Sequence, residues 1–445
     1  MENTSKSKPK LPTSVMTGFV ELLPAEQILF NKMKATIQST YESFGFVPLD
    51  TPTIERSEVL LAKAGGETEK QIYRFTKGEN DLSLRFDLTV PLARYVSDHL
   101  NDLTFPSRFY HIGKVYRGER PQKGRFREFY QCDIDIIGRE TLSLASDAEV
   151  IAVIFEVFSR LKLPEFIVRI NNRKLIIGLL EELGISAGEQ AVEVMRIIDK
   201  IEKIPLEETK ALLLDLKLDA KAAQQILDFV SIKGEAADIL NALSKLRIKN
   251  ENFVLGLSEL QEVINHLTAF GLPTDSYGID LSIVRGLDYY TGTVYETKLQ
   301  DYPSLGSICS GGRYDNLAQN YTSQKLPGVG ISIGLTRLFS QLKELGLIKT
   351  GEASPSRALI IPFDDRMTPQ AIEVSHYLRQ QGIANEVYFE EDKFKNKLSY
   401  ANKLGVKKVI IIGEDEIEAK SFTVKDMESG KQQTLELDEL ARIFD

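Results

Sequence analysis

The sequence predicts an α+β protein: an antiparallel sheet flanked by helices, interrupted by a helical insertion and followed by an α/β domain. Residues 1–173 combine amphipathic helices with strand-like segments, whereas residues 174–271 have helical spacing and few aromatic side chains. Strands and glycines resume over residues 272–345, after which a polar linker spans 346–356. In residues 357–445, short apolar strands alternate with helices. These ranges are the predicted domain boundaries.

Two periodicities define the elements of the first part. Helical spacing predicts one helix that ends near Gly45, before an extended segment with Pro48, and another that stops before Pro164. Alternating or continuous apolar segments predict strands of a mainly antiparallel sheet. The predicted elements are the helix Glu26–Phe46, the strands Leu82–Phe86, Arg108–Tyr116 and Phe129–Ile137, and the helix Ala148–Leu161.

The middle and the end of the chain have different patterns of apolar residues. Val194, Ile197, Ile198 and Ile201 form a helical stripe in a segment that contains no motif of chemical interest, and we interpret that segment as a helical insertion. Strands that alternate with helices near the end predict a largely parallel, buried sheet. These predicted elements are the strands Ala358–Pro362, Glu386–Phe389 and Val406–Ile412 and the helices Pro369–Gln381 and Lys393–Leu404.

Composition narrows the class of protein. The chain has 445 residues, of which 42% are hydrophobic and 27% are charged, as in ordinary globular proteins. Cys132 and Cys309 match no metal-ligand spacing, so we predict buried thiols and no metal site. The polar N-terminus lacks a signal-peptide pattern, and no apolar segment is long enough to span a bilayer. We therefore expect a cytoplasmic protein without membrane contacts.

Charge is unevenly distributed. A net charge of −9 argues against a general nucleic-acid binder and against DNA, but local basic patches can still bind RNA. One such patch lies within Lys114–Arg127, and the other, within Lys393–Lys408, has six lysines and no acid. The alternative for either patch is an ordinary solvated surface.

The segment Tyr110–Gly138 predicts a hairpin whose long tip is basic. In its second strand, the polar residues Gln131, Asp133 and Asp135 alternate with the apolar residues Cys132, Ile134 and Ile136. Because successive side chains of a strand point to opposite faces, the polar set should line a cleft and the apolar set a core.

Two later segments contain the residue types that a site for an amino acid and a phosphate requires. Ser282–Glu296 and Ser307–Leu317 place arginines, tyrosines and aspartates among glycines. Carboxylates bind an ammonium, arginine binds phosphate, and aromatic faces shape a pocket. In Leu326–Leu338 a glycine-punctuated strand leads into a helix with Arg337 in its first turn, an arrangement suited to phosphates.

These segments resemble the motifs of one family. Ser282–Glu296 and Ser307–Leu317 resemble the two motifs peculiar to histidyl-tRNA synthetases. Tyr110–Gly138 and Leu326–Leu338 resemble motifs 2 and 3 of class II aminoacyl-tRNA synthetases, and Pro52 resembles the motif 1 proline. The resemblance implies a class II antiparallel sheet and a C-terminal anticodon-binding α/β domain.

The resemblance also implies roles for individual residues. Arg285 and Arg117 would be catalytic, because guanidinium groups can counter the charge that develops on the α-phosphate. Asp87 alone would be read as a helix cap, but the resemblance makes it an ammonium ligand. Many relatives carry glutamate where Asp87 and Asp135 stand. The implied histidine ligands are Asp87, Gln131, Asp135, Arg285, Tyr289, Tyr290 and Tyr314; the ATP ligands are Arg117, Glu119, Arg125 and Arg337; the tRNA contacts are Arg120, Gln122, Lys123, Lys395 and Lys397.

The implied reaction is the ATP-dependent activation of histidine, with Mg²⁺ accompanying ATP, followed by transfer to tRNA(His) in a homodimer. Two alternatives remain open. A synthetase-like protein can lose ligase activity and serve as a histidine-binding regulatory subunit of histidine biosynthesis, but such proteins typically lack the last domain and erode the ATP motifs. A class II synthetase for another amino acid, such as proline or threonine, would not be expected to carry the two histidine-specific segments.

Overall fold

The chain forms two units, which we describe separately. One consists of residues 11–20 with 34–345, and the other of residues 21–33 with 346–444. No helix in the described residues is long and apolar enough to cross a membrane. The computed structural model describes residues 11–62, 66–120, 124–186, 188–284 and 289–444.

The strands belong to three sheets. In chain order they are β1 (Val47–Pro48), β2 (Ile54–Arg56), β3 (Arg74–Lys77), β4 (Asn80–Leu84), β5 (Ser107–Tyr116), β6 (Glu128–Ile137), β7 (Phe166–Asn172), β8 (Tyr277–Ile279), β9 (Thr293–Leu299), β10 (Cys309–Tyr314), β11 (Gly328–Gly334), β12 (Ala358–Pro362), β13 (Asn385–Val387), β14 (Lys408–Ile412), β15 (Ser421–Asp426) and β16 (Gln432–Glu436).

The helices flank these sheets or fill the segment between β7 and β8. They are α1 (Pro24–Ser43), α2 (Ser57–Leu61), α3 (Gly66–Gln71), α4 (Thr89–Asp98), α5 (Ala145–Arg160), α6 (Arg173–Glu182), α7 (Glu189–Ile198), α8 (Leu206–Asp215), α9 (Ala220–Val230), α10 (Ala236–Lys245), α11 (Glu251–Ala269), α12 (Leu335–Glu344), α13 (Thr368–Gln380), α14 (Phe394–Leu404) and α15 (Glu414–Ala419).

The largest sheet has eight strands in the order β1-β5-β6-β11-β10-β9-β7-β8. Strand β1 runs parallel to β5 and β8 parallel to β7, while the other neighbours in this sheet are antiparallel. The predicted α+β class with a mainly antiparallel sheet is therefore confirmed. One predicted strand, β4, belongs instead to a separate three-stranded sheet with β2 and β3, and β7 was not predicted.

Strand β6 lies inside the large sheet and has two buried faces. Cys132, Ile134 and Ile136 are fully buried on one face, as the alternation predicted. Helix α1 contacts this strand, because the Tyr41 hydroxyl donates a 2.9 Å hydrogen bond to the carbonyl of Cys132. The opposite face carries Gln131, Asp133 and Asp135, and all three are also buried.

Helix α5 is tied to the sheet by a buried ion pair. A guanidinium nitrogen of Arg313 on β10 lies 2.5 Å from a carboxylate oxygen of Asp147, in the first turn of α5. Arg313 also donates to the carbonyls of Leu142 and Ser143, so several acceptors compensate for its burial. The arginine next to the double glycine of the Ser307–Leu317 segment thus holds a helix in place.

Of the helices between β7 and β8, the first, α6, and the last, α11, pack closely against each other. A Cβ on Gly178 of α6 would lie 2.4 Å from the backbone nitrogen of Phe253 in α11. A Cβ on Gly256 of α11 would lie 2.9 Å from the Cβ of Lys174. Because both glycines lack that atom, the two helix backbones can approach closely.

The second unit contains a five-stranded sheet in the order β13-β12-β14-β15-β16. Strands β13, β12 and β14 are parallel, and they correspond to the three predicted strands, with the two predicted helices present as α13 and α14. Strands β15 and β16 add an antiparallel edge that was not predicted. Strand β16 is largely exposed and polar, so it has no apolar alternation that a sequence pattern could register.

Gly178→Ala tests the close approach of α6 and α11. The alanine should gain about 1 kcal/mol of helix propensity, but its Cβ meets backbone, which cannot rotate away. We expect a net loss of roughly 1–3 kcal/mol in the free energy of unfolding, measured by thermal or denaturant unfolding. Gly351→Ala is the matched control, because nothing lies within 4 Å of its added Cβ. Equal stability of the two variants would contradict the packing argument.

Candidate active site

The candidate site lies on the polar face of β6. Across the sheet, Gln131 faces Gly334, Asp133 faces Ser332 and Asp135 faces Gly330 on β11. Small residues on β11 leave room above this face, while its other residues, Val329, Ile331 and Ile333, are buried in the core.

Asp135 and Tyr314 meet across β11. The Tyr314 hydroxyl donates a 2.7 Å hydrogen bond to Oδ1 of Asp135. A Cβ on Gly330 would lie 2.2 Å from that same oxygen, and a Cβ on Gly328 would lie 2.3 Å from the Tyr314 ring. The two glycines are therefore the reason that a tyrosine of β10 can reach a carboxylate two strands away.

Three tyrosines form an aromatic wall beside Asp135. The ring centroids of Tyr289 and Tyr290 are 5.0 Å apart, and those of Tyr289 and Tyr314 are 5.9 Å apart, both in edge-to-face arrangements. A Cβ on Gly312 would lie 3.0 Å from the Tyr290 ring. The absence of a Cβ at this position therefore lets the Tyr290 ring pack against the strand.

Asp87 caps a helix, as its position before Leu-Thr suggested, and its other carboxylate oxygen is left over. Its Oδ1 accepts a 3.2 Å hydrogen bond from the backbone N–H of Val90, which caps the start of α4. Its Oδ2 is buried and has no partner among the described residues. Burial raises the pKa of Asp87 to about 6, although the Val90 N–H and the nearby charge of Arg117 act in the opposite direction.

Asp133 was predicted only to line a cleft with Gln131 and Asp135, and no ligand was assigned to it. Burial raises its pKa to about 8, a hydrogen bond from Ser332 lowers it, and the Asp87 charge raises it further. Gln131 donates a 2.6 Å hydrogen bond to the same serine. The alternation along β6 had placed Asp133 on this face, whereas nothing singled out Ser332 in the glycine-punctuated strand β11.

His111 of β5 lies directly opposite Asp133 on the same face. Burial and the charge of Arg85 lower the pKa of His111 to about 4, despite the nearby Asp50 carboxylate. The histidine is therefore neutral at physiological pH and supplies no positive charge to the site. Among the described residues, no salt bridge joins a cation to Asp87, Asp133 or Asp135.

Arg117 lies at the end of β5 and is held in place by the protein. Its Nε donates a 3.0 Å hydrogen bond to the carbonyl of Phe86, the residue before Asp87. Its guanidinium carbon lies 5.2 Å from the centroid of the Phe129 ring. These two contacts fix the plane of the guanidinium group next to the carboxylates.

The loop after Arg117 contains the other residues predicted from motif 2. Arg125 and Glu119 approach to 3.5 Å, and Arg127 donates to the backbone carbonyl of Glu119. Arg120 is exposed. Gln122 and Lys123 lie outside the described residues, as does Arg285, the first residue of the RGLDYY string.

Arg337 occupies the first turn of α12, as predicted, and is held by the loop after β9. It donates a 2.6 Å hydrogen bond to the carbonyl of Leu305. Burial, and next the positive charge of Arg125, lower the pKa of Arg337. Arg125 and Arg337 therefore repel each other, and an anion bound between them would reduce that repulsion.

The two lysines predicted on α14 differ in exposure. Lys395 is exposed, whereas Lys397 is only 4% exposed and donates a 3.0 Å hydrogen bond to the carbonyl of Pro362. The prediction that Lys397 faces tRNA is therefore wrong, because its ammonium group is occupied inside the domain. Lysine charge alone did not distinguish Lys397 from the exposed lysines of this helix, because a long lysine side chain can lie on either face.

The remaining predictions concern cysteines and metals. Cys132 and Cys309 are buried free thiols, as expected, and burial raises the pKa of each. Within the described ranges, no group of three or more histidine, cysteine or acidic side chains is arranged to hold a metal ion.

Comparisons with known proteins decide the family. The family model for histidyl-tRNA synthetase matches residues 18–338, and that for an anticodon-binding domain matches residues 357–445. The chain belongs to the histidyl-tRNA synthetase family. It is 55% identical over 432 residues to a histidine–tRNA ligase of Clostridium tetani, covering 97% of this chain and 98% of the relative.

Solved structures agree. The crystal structure of histidyl-tRNA synthetase from Nostoc sp. PCC 7120 is 42% identical, has a TM-score of 0.90, and the match covers 98% of this chain and 99% of that one. A Bacillus halodurans structure described as an ATP phosphoribosyltransferase regulatory subunit/histidyl-tRNA synthetase is 23% identical, with a TM-score of 0.74, covering 91% of this chain and 99% of that one. At that identity the likeness shows the fold alone. The predicted family, class II fold and ligase function are confirmed.

Asp133→Asn tests the burial of the central carboxyl. The folded pKa of about 8 lies well above the ordinary value of 3.8 for an aspartate, so between these two values the folded state retains a proton that the unfolded chain has released. Stability should therefore fall as pH rises from about 4 to about 8. We expect thermal unfolding scans to show a shallower fall for the variant, and a higher midpoint at pH 8.

Asp81→Asn is the control for this experiment. Asp81 is a partly exposed carboxylate whose pKa is lowered by hydrogen bonds from Arg74 and Ser57, so its loss should leave the fall in stability above pH 4 intact. Parallel pH profiles for wild type and Asp133→Asn would contradict a raised pKa at Asp133.

Proposed function

We propose that this histidine–tRNA ligase binds histidine on the polar face of β6 and ATP at the end of that strand. The order of residues along β6 carries the proposal. Asp135, next to the tyrosines, would hold the imidazole; Gln131 is two pleats further, beside Gly334 and the start of α12. Beyond it lie Arg117 and Arg337. A bound histidine would thus point its carboxylate toward the arginines.

The histidine pocket suits an imidazole. The Tyr314 hydroxyl donates to Asp135, so that carboxylate can accept an imidazole N–H on its other oxygen. Burial raises the pKa of Asp135, and the Asp133 and Asp87 charges raise it further, which a cationic or N–H-donating ligand would offset. Tyr289 and Tyr290 would supply the flat walls of the pocket.

The arginines suit the phosphates of ATP. Arg117, oriented by Phe86 and Phe129, would bind the α-phosphate, and Arg337 with Arg125 would bind the distal phosphates. Glu119 would accept from the adenine amino group. Arg285 is proposed as a second ligand of the α-phosphate by its family motif alone. The family uses ATP, and we propose that Mg²⁺ accompanies it.

The chemistry depends on positioning and charge stabilisation. The histidine carboxylate attacks the α-phosphorus of ATP, forming an acyl–oxygen–phosphorus linkage as pyrophosphate leaves. The 3′-terminal ribose hydroxyl of tRNA then attacks the acyl carbon, and AMP leaves. Fixed guanidinium groups stabilise the charge that develops at phosphorus, so no protein nucleophile is needed.

For tRNA, we propose two contact regions. The acceptor end would meet the loop that contains Arg120, with Gln122 and Lys123, and the anticodon would meet the last domain through Lys395. We also propose a homodimer that acts in the cytoplasm, where tRNA is charged. The proposed domain boundaries follow residues 173, 271, 345 and 356.

ATP–pyrophosphate exchange with each of the twenty amino acids tests the first step. We expect exchange with histidine alone. Arg117→Ala should reduce its rate about 100-fold or more, because a transition-state ligand is lost, while histidine binding persists. Arg160→Ala, which removes a surface arginine paired with Glu156, is the control. No exchange in the presence of saturable histidine binding would favour the regulatory subunit instead, and an unaffected Arg117→Ala would refute that assignment.

Lys395→Glu tests the tRNA surface of the last domain. The variant should raise the KM for tRNA(His), leave histidine activation unchanged, and reduce the slope of log affinity against log salt concentration by about 1. Lys431→Glu, an exposed lysine in the same domain, should behave like wild type. If Lys395→Glu and Lys431→Glu change the salt dependence equally, the effect is one of net charge and Lys395 is not a contact.

A further inference from the structure

On the site face, three hydrogen-bond acceptors have no donor within the part of the chain that the structure describes. They are Oδ2 of Asp87, Oε1 of Gln131 and Oδ1 of Asp133, and none has a partner among the described residues. The three residues are only 1%, 8% and 2% exposed. A buried acceptor without a partner costs free energy, so three together indicate a place that a ligand with several donors completes.

In each of these residues the second side-chain polar atom already takes part in a hydrogen bond. That hydrogen bond fixes the direction of the acceptor that has no partner. Asp87 uses Oδ1 to cap α4, and Gln131 uses its amide nitrogen to donate to Ser332. Because the Ser332 oxygen accepts from Gln131, its single proton is available for Asp133, whose pKa this hydrogen bond lowers. Ser332 thereby orients both the Gln131 carbonyl and the Asp133 carboxyl.

The three acceptors also lie near one another. The Asp87 charge raises the pKa of Asp133, and the Asp133 and Asp87 charges both raise that of Asp135. Because no ion pair among the described residues neutralises these carboxyl groups, a cation bound beside them would lower their pKa values and favour their ionised forms. Arg117 and Arg85 are positive and lower the pKa of Asp133, whereas the aromatic wall and the neutral His111 contribute no charge.

We propose that Asp133 is a third ligand of the substrate ammonium and completes a socket with Asp87 and Gln131. This inference rests on the proposed function, since it assigns a residue to the histidine site. An ammonium group has three N–H donors, which matches the three free acceptors. Asp133 also repels a carboxylate, so it orients the α-carboxylate of histidine away from the socket and toward Arg117.

Binding of two ligands to Asp133→Asn tests the socket. L-Histidine and 3-(imidazol-4-yl)propionate share the imidazole and the carboxylate, and only histidine carries the ammonium. In calorimetric titrations, Asp133→Asn should weaken histidine binding about tenfold to a hundredfold, with binding of the propionate unchanged or tighter. Asp135→Asn is the matched control from the same strand, and it should weaken both ligands.

The outcomes separate this inference from the proposed function. If wild type binds histidine and Asp133→Asn keeps the same preference for histidine over the propionate, Asp133 is not an ammonium ligand. Equal weakening of both ligands would mean that Asp133 acts through the structure of the pocket, which also overturns the inference. If wild type binds no histidine, the proposed function itself fails, and this inference fails with it.

Proton release gives a second measurement, independent of whether the variant folds well. Asp133 is protonated at neutral pH in the free protein and should ionise when an ammonium arrives. At pH 7.5, wild type should therefore release more protons with histidine than with the propionate, as measured in buffers of different ionisation enthalpy. Equal release would overturn the inference. Among the described residues, the charged or titratable groups near Asp133 are Asp87, Asp135, His111, Arg85, Arg117, Tyr290, Tyr314, Tyr41, Cys132 and Cys309.

Discussion

The burial of carboxyl groups on one face of β6 is the constraint on which the site depends. A buried charge without a partner is costly, so the free protein holds Asp133 mainly as the neutral acid at neutral pH. The neighbouring Asp87 and Asp135 also have raised pKa values. This face is less stable than an apolar one would be, and the missing interactions are those that a histidine ammonium and imidazole can supply.

Such a face can exist because the opposite face is a well-packed core. Cys132, Ile134 and Ile136 are fully buried beneath it, and the Arg313–Asp147 ion pair anchors α5 to the same sheet. The glycines of β11 allow side chains of neighbouring strands to meet above them. Rigid packing on one side thus keeps incompletely satisfied polar groups in place on the other, as preorganised binding requires.

At the end of β6, the groups that the packed structure holds in place are positively charged. Arg337 and Arg125 raise each other's electrostatic energy, and Arg117 is held by a carbonyl and an aromatic ring. The site therefore has an end lined by carboxyl groups, which a bound cation would favour in their ionised form, and a positive end, which a bound anion would favour. A substrate pair whose charges match that gradient is aligned for attack of carboxylate on phosphorus before any reaction begins.

Local pattern determined much of this protein. Alternation along β6 and the helical stripes predicted strands of the large sheet, several helices and the polar face of β6, because side-chain direction follows backbone periodicity. The roles of individual site residues came from the family resemblance instead. Tertiary structure decided what periodicity cannot express. Lys397 donates to a carbonyl at the end of β12, Asp133 is buried on its face of the sheet, and the polar strand β16 pairs only with β15 at the sheet edge. Burial and partner choice arise from contacts between residues far apart in sequence, which no local window contains.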